Sequence, residues 1–356
     1  MKKVLVWLSG GVDSAVSAYL LQKQGYEVVA WFMINYREPE NPNCTTRIDK
    51  IEAKKVAEFL GIKFLEFDFV EKYRKKVLDY MFEGYKKWIT PNPDIMCNKE
   101  VKFKVFLEKA EELWFDYIAM GHYARIKKDD KWIFHLLKWI DQNKDQSYFL
   151  AWLNQKQLSR SLFPIWHLQK SEVRKIALEI WLPNATRKDS QGICFVWKVN
   201  MAEFLEKKIK PKPWLVKDTS WKILWEHKWV YYYTIGQRKG LNIWWQSEPI
   251  FVVKKDIEKN EIIVWTASDL ELYSDKLEMT EINFLNPDYK KYFEKNNILK
   301  AKAKIRYRQS DQDCVVEKIK DNLFKVKFEE KQRAIASWQI CAIYIWEELI
   351  MSWVII

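Results

Sequence analysis

The chain has 356 residues, enough for two or three domains that each bury a core without covalent staples. Lys+Arg outnumber Asp+Glu by 60 to 48, and the resulting net charge of +12 points to a polyanionic partner. Five cysteines without C-x-x-C spacing or a Cys/His cluster argue against a disulfide framework, a zinc ribbon and a cysteine-ligated iron–sulfur centre, and predict a reduced cytoplasmic protein. The apolar opening Val4–Leu8 is too short for a secretory core, and no run approaches the roughly 18 apolar residues of a membrane span, so no membrane partner is expected.

A strand is predicted at Lys3–Leu8, ending in S-G-G-V-D-S, Ser9 to Ser14, with an amphipathic helix from Ser14. This is a phosphate cradle: Gly10 and Gly11 let successive amides turn inward, Ser9 and Ser14 supply hydroxyls, and the helix dipole faces the anion. A Walker loop is excluded, because no G-x-x-x-x-G-K-[ST] exists and Asp13 stands where its lysine would be. The pattern continues with a strand at Glu27–Met33, a helix from Thr46 to Leu60 and a strand at Lys63–Phe67. Helices around Val70–Lys87 and Lys99–Leu113 and a strand at Asp116–Met120 follow. Alternation of this kind predicts a doubly wound parallel α/β sheet with its ligand at the strand C-termini, where Ser9–Ser14 and Met120-Gly121-His122-Tyr123 lie.

Two cysteine segments carry candidate chemistry. In T-P-N-P-D-I-M-C-N-K-E-V-K-F, Thr90 to Phe103, two prolines stiffen a loop and Cys97 precedes the helix predicted near Lys99. A helix N-terminus with Lys99 and Lys102 nearby would favour the thiolate. In K-D-S-Q-G-I-C-F, Lys188 to Phe195, Ser190, Gln191 and Gly192 make a polar, flexible approach to Cys194. Cys44 has a weaker context, and Cys314 and Cys341 fall within predicted strands.

Past Trp197 the chain turns β-rich, at Val230–Ile235 and in a hairpin of Phe251–Val253 with Glu261–Val264. Leu299, Ala301, Ala303, Ile305 and Tyr307 alternate with Lys300, Lys302, Lys304, Arg306 and Arg308, a strand with one apolar face and one cationic face suited to a phosphate backbone or to solvent. Strands at Asp313–Ile319, Leu323–Phe328 and Gln339–Trp346 complete a small antiparallel barrel.

These segments, with M-G-H-Y-A-R, N-K-D-Q-S-Y-F-L, Y-T-I-G-Q-R-K-G-L and R-Y-R-Q-S-D, resemble the tRNA-specific 2-thiouridylases of the ATP-pyrophosphatase loop superfamily along essentially the whole chain. The resemblance implies a nucleotide-binding α/β domain at 1–203, a small central β-containing domain at 204–270 and a C-terminal antiparallel β-barrel at 271–356 that helps hold tRNA. It implies that ATP, with Mg²⁺, adenylates the C2 oxygen of the wobble uridine and that sulfur then displaces AMP. Trp7, Leu8, Ser9, Gly10, Gly11, Val12, Asp13, Ser14, Met33 and Gly121 would bind ATP, and Asn92, Pro93 and Asp94 would meet the target base. Asp94 would be the acid/base, Cys194 would carry a persulfide from a cysteine desulfurase or sulfur-relay protein, and Cys97 would be its partner thiol. His122, Lys144, Asp145, Gln146, Arg306, Tyr307 and Gln339 would contact tRNA. No metal beyond nucleotide-bound Mg²⁺ is implied. A related ligase that forms amides would share the cradle but not need the cysteine pair, and a non-enzymatic RNA-binding protein would leave the cradle idle.

The composition is itself informative: 20 Trp stand against 9 Gly. Glycine usually makes up about 7 % of a protein, roughly 25 residues in this length, and the two counts together approach that figure. Leu60-Gly61-Ile62 ends a helix and starts a strand, and Leu113-Trp114-Phe115 and Ile180-Trp181-Leu182 repeat the context with tryptophan. Trp7, Trp31, Trp88, Trp139, Trp166, Trp197, Trp225, Trp229, Trp244, Trp245 and Trp338 stand where the resemblance implies glycine. The expectation is a gene that reads UGA as glycine, written here as tryptophan.

Overall fold

The computed structural model describes residues 1–37, 46–87, 89–141, 144–188, 201–206, 208, 210, 212–241, 243, 248–256 and 258–356. Cys44, Trp88, Ser190 to Gly192, Cys194, Trp197, Trp244 and Trp245 lie outside the described residues.

Five short strands form the nucleotide-domain sheet: β1 (Lys3–Trp7), β2 (Glu27–Ile34), β3 (Phe64–Asp68), β4 (Tyr117–Ala119) and β7 (Ser161–Leu162), in the order β3-β2-β1-β4-β7. All neighbours are parallel. Val4, Leu5 and Val6 are fully buried because helices cover both faces, which is why β1 reads as an unbroken apolar run. Helix α1 (Val12–Lys23) follows β1 and α2 (Thr46–Phe59) precedes β3. Helix α3 spans 70–86 with a π-helical turn at Arg74–Leu78. Helix α4 spans 93–112, with Cys97–Val105 in π-helical pairing. The sheet therefore matches the predicted alternation, but α4 starts at Pro93 rather than Lys99.

The middle sheet holds β8 (Trp214–Asp218), β9 (Ile223–His227), β10 (Ile250–Asp256) and β11 (Glu261–Thr266), in the order β10-β11-β8-β9. The predicted hairpin is β10 and β11, paired antiparallel. Val230–Ile235 is not a strand: Val230–Tyr232 forms a 3₁₀ turn, with the Tyr231 and Tyr232 rings packed against Trp229.

Six antiparallel strands close the barrel: β12 (Tyr273–Phe284), β13 (Ile298–Lys304), β14 (Gln312–Lys320), β15 (Leu323–Arg333), β16 (Ile340–Ile345) and β17 (Glu348–Ile355). Closure comes from β12 pairing with both β15 and β17. The sheet then continues outward, because the hairpin of β5 (Arg125–Lys128) and β6 (Phe134–Leu137) adds to β17 through Leu136 and Leu137. A hairpin from the nucleotide domain is thus part of the barrel's sheet.

The predicted cationic strand face is divided. β13 ends at Lys304, so Ile305 to Arg308 lie in a turn. Lys300 is exposed, whereas Lys304 is buried, 3.7 Å from Asp145 and 3.6 Å from Asp311. Lys138 also pairs with Asp311, giving a cluster of the buried Lys138, Lys304 and Asp145 with the partly buried Asp311 between the nucleotide domain and the barrel. A buried lysine must be paired, and here the pairing overrides the period-two expectation.

Candidate active site

β1 delivers the chain into the cradle, and the turn is held from within. Ser9 N–H donates to Ser14 Oγ at 3.2 Å, Gly11 N–H to Ser9 Oγ at 3.3 Å, and Ser14 Oγ to Gly11 O at 3.0 Å. Gly10 has φ +81°, and a Cβ there would lie 2.7 Å from Asp49 O, so both conformation and space require glycine. Gly11 caps α1 without any side-chain hydrogen bond, which leaves the helix N-terminus without a side-chain cap.

Outside elements brace the cradle. Asn184 Nδ2 and Arg187 Nη1 donate to Gly10 O at 2.9 and 3.0 Å, and Arg187 is ion-paired to Asp49. Asp13 accepts from Tyr123 Oη at 2.7 Å and from Lys170 Nζ at 2.6 Å, Lys170 being the first residue of α5 (Lys170–Glu179). A Cβ on Gly121 would come within 2.8 Å of the Asp13 carbonyl carbon and 2.9 Å of Ser14 N, so the Met120–Tyr123 loop seats directly on the cradle. This set of amides, hydroxyls, a carboxylate and ammonium and guanidinium groups fits a nucleotide triphosphate with its cation. Among the described residues no group of three His, Cys, Asp or Glu side chains could hold a metal ion by itself. Met33 lies buried in β2, beside Trp31.

The first cysteine segment forms the start of α4. Asn92 Oδ1 accepts from Ile95 N–H at 3.2 Å and caps α4, so Asp94 sits in the first turn and Cys97 in the second, fully buried. The expected placement of Cys97 ahead of a helix N-terminus is thereby corrected: Asn92, not the thiol, takes the end amide. Asn98 Nδ2 ties the same turn to Asp94 O at 3.1 Å and Phe149 O at 3.2 Å. π-Helical pairing brings Lys102, one such turn after Cys97, into the interior with its Nζ 4.8 Å from the Trp7 ring. Lys99 is turned onto Trp152, 3.9 Å from the ring, and burial lowers its pKa. His122 packs between Phe103 and Phe163, its Nδ1 without a hydrogen bond. Burial, reinforced by the charge of Lys102, holds its pKa well below 6.5, so the imidazole is neutral.

Three family profiles match successive parts of the chain. They are described as a tRNA methyl transferase HUP domain at residues 2–198, a tRNA methyl transferase PRC-barrel domain at 202–266 and an aminomethyltransferase β-barrel domain at 274–355. A tRNA-specific 2-thiouridylase MnmA of Mycoplasma capricolum is 45 % identical over 360 residues, covering 97 % of this chain and 96 % of the relative. The MnmA of Flavobacterium johnsoniae is 39 % identical over the full length of both, and that of Shouchella clausii 43 % identical over 96 % of this chain and 93 % of its own. The chain belongs to the tRNA-specific 2-thiouridylase family.

Several of the 2-thiouridylase positions named from sequence come together. Gln339, just before β16, reaches the first cysteine segment: its Nε2 donates to Thr90 O at 2.6 Å and its Oε1 accepts from Asn92 Nδ2 at 3.4 Å. Tyr307 packs on Phe149 at 4.3 Å, and Tyr148 Oη donates to Ile340 O at 2.9 Å. Gln146 Oε1 accepts from Tyr123 N–H at 3.0 Å, and Lys144 beside it is exposed. Asp145 is buried and accepts from Trp139 N–H, Ser147 N–H and Ser147 Oγ. The Arg306 guanidinium donates to the carbonyls of Arg333 and Ala334.

Sequence reasoning missed Tyr123 as a ligand of Asp13, Lys170, Asn184 and Arg187. The last two stand in L-P-N-A-T-R-K-D-S, immediately ahead of the Cys194 segment, so the brace for Gly10 and the approach to the second cysteine are one stretch of chain.

Proposed function

We propose that this protein catalyses ATP-dependent 2-thiolation of the wobble uridine of tRNA in the cytoplasm, with the division of labour 1–203, 204–270 and 271–356. The observations that carry the reading are the braced cradle of Ser9–Ser14 after β1 and an asparagine-capped Cys97 helix, whose Lys102 lies 4.8 Å from the residue 7 ring at the end of β1 and whose cap the barrel's Gln339 touches. Ser9, Gly10, Gly11, Val12, Asp13 and Ser14 would hold the triphosphate, with Leu8, residue 7, Met33 and Gly121 around the nucleoside.

The cradle fits the departing pyrophosphate, which collects charge as the uridine O2 attacks the α-phosphorus. Bound Mg²⁺ would neutralise phosphate charge, and Asp13 would be the carboxylate that holds it. Lys170 would then turn from Asp13 to phosphate. Asp94 accepts the uridine N3 proton as O2 becomes a nucleophile, while Asn92 and Pro93 fix the base.

Sulfur arrives as a Cys194 persulfide loaded by a cysteine desulfurase or sulfur-relay protein. Its terminal sulfur forms a bond to C2 and AMP leaves with the C–O bonding pair. Cys97 attacks the Cys194 sulfur, either after that transfer or before it with release of sulfide. Both routes end in a Cys97–Cys194 disulfide that an external thiol reduces. Lys144, Gln146, Tyr307 and Gln339 border the base entrance, His122 lines it from below, and Asp145 and Arg306 hold the loops that shape it.

The test is nucleoside mass analysis of tRNA incubated with the protein, ATP and a persulfide source. 2-Thiouridine at the wobble position, with AMP and pyrophosphate in equal amount, is the expected result; AMP release coupled to amide formation, or RNA binding without ATP cleavage, would replace this reading.

A further inference from the structure

Ten non-glycine residues of the described chain have positive φ, and six of them are tryptophan: Trp114, Trp132, Trp181, Trp221, Trp338 and Trp346, with φ between 54 and 68°. A bulky residue with a Cβ rarely adopts that region; Asn and Gly do so readily.

The helix ends make the comparison internal to the molecule. After α2, Gly61 N–H donates to Glu58 O and Ile62 N–H to Ala57 O, a Schellman ending with Gly61 at φ +64°. After α4, Trp114 N–H donates to Glu111 O and Phe115 N–H to Ala110 O, with Trp114 at φ +60°. After α5, Trp181 N–H donates to Leu178 O and Leu182 N–H to Ala177 O, again at φ +60°. The backbone is the same in all three, and only the residue differs. No burial compensates the two indoles: Trp114 is 88 % and Trp181 83 % exposed. Trp221 turns the β8–β9 hairpin and Trp346, 87 % exposed, the β16–β17 hairpin, where glycine or asparagine ordinarily supplies φ > 0.

Two interior tryptophans bear on the site. Trp7, the last residue of β1, is the register partner of Trp31 in the second half of β2, and Leu8 N–H, one residue before the cradle, donates to Trp31 O. Trp31 is fully buried against Phe67, ring centroids 3.8 Å apart, and its indole N–H has no acceptor. The Trp7 ring occupies space between the end of β1 and the Lys102 ammonium.

We propose that the native polypeptide carries glycine at positions 114, 132, 181, 221, 338 and 346, and at 7 and 31, its gene using UGA for glycine. At 7 and 31 the consequence is an open nucleotide pocket in place of two indoles; that part rests on the ATP-binding reading above.

The gene and the native protein decide it. UGA codons at the six turn positions, and tryptic peptides of protein purified from its source carrying glycine there, are expected; UGG codons or tryptophan-bearing peptides at 114 and 181 overturn the proposal. Independently, W114G with W181G in the full chain should raise the melting temperature by a few degrees, and an unchanged or lower value overturns the conformational argument. W7G with W31G should bind ATP at least tenfold more tightly by calorimetry. A flat response there, with glycine found in the native peptides, would count against the nucleotide pocket and not against the glycine assignment.

Discussion

Lys170 Nζ lies 2.6 Å from Asp13 Oδ1, an ion pair that joins the start of α5 to the anion-binding loop although the two are 157 positions apart in the chain. On the nucleotide-binding reading proposed above, the pair presents a carboxylate suited to a divalent cation beside an ammonium suited to phosphate, which a bound nucleotide would separate. Asp13→Ala should abolish pyrophosphate release. Lys170→Met should lower kcat for tRNA adenylation by about a hundredfold, the scale of losing one preorganised charged donor, while tRNA affinity is unchanged. Measured pyrophosphate release within twofold of the parent in Lys170→Met would remove that residue from the phosphate site.

The cysteines separate by step. Cys194→Ser should leave adenylation of tRNA intact and give no 2-thiouridine, because adenylation needs only the cradle and the base pocket. Cys97→Ser should also block turnover, yet it should still accumulate persulfide on Cys194 when given a donor, detectable by alkylation and mass analysis. Ordinary 2-thiouridine yield from Cys194→Ser would refute the persulfide assignment.

RNA affinity should depend steeply on salt, and the structure specifies which charges contribute. Lys300 and Arg308 are exposed and Lys302 is partly so, pairing with Asp313 at 3.1 Å across the strands. Reversing these three should lower the log–log salt slope by about one unit for each phosphate that the protein no longer neutralises. Lys304→Glu belongs to a different class: it places a third carboxylate in the buried Asp145–Asp311 cluster and should cost about 3–5 kcal/mol of stability. Denaturant melts and a salt titration of tRNA binding, run on both variants, distinguish the two behaviours.

The contrast between Lys302 and Lys304 shows where sequence stopped being sufficient. Period-two alternation located β13 and its apolar side, but alternation assumes that the other side meets water. Lys304 instead faces Asp145, which is itself folded inward by the Trp139 and Ser147 amides, a long-range fact that no local pattern encodes. The same reason hid Asn184 and Arg187, which reach Gly10 from a distant loop. β1, α1 and the cradle were legible because their signals are local: a buried parallel strand is continuously apolar, and a serine–glycine turn with Gly10 at positive φ follows it. The β5–β6 hairpin joining β17 was invisible because strand pairing across domains leaves no trace in either segment. Cys97 was found by its context but misplaced, since Asn92 two residues before Asp94 starts the helix earlier than the lysine-rich stretch suggests.

His122 provides a pH signature for the same region. Its folded-state pKa lies well below 6.5, chiefly through burial and then through Lys102, whereas in the unfolded chain it titrates near 6.5. Below that pH the unfolded state binds a proton that the folded state refuses, so stability falls as pH drops from about 6.5 and is unaffected by this group above it. His122→Gln removes the proton-binding site and should flatten the part of the stability curve between about pH 5 and pH 7 relative to the parent, at the cost of weaker packing between Phe103 and Phe163. Urea melts across that range test the prediction, together with an imidazole nitrogen NMR shift that should stay in the neutral form as the pH falls through 6.5. A His122 that titrates near 6.5 in the folded protein would mean that the Met120–Tyr123 loop opens to water.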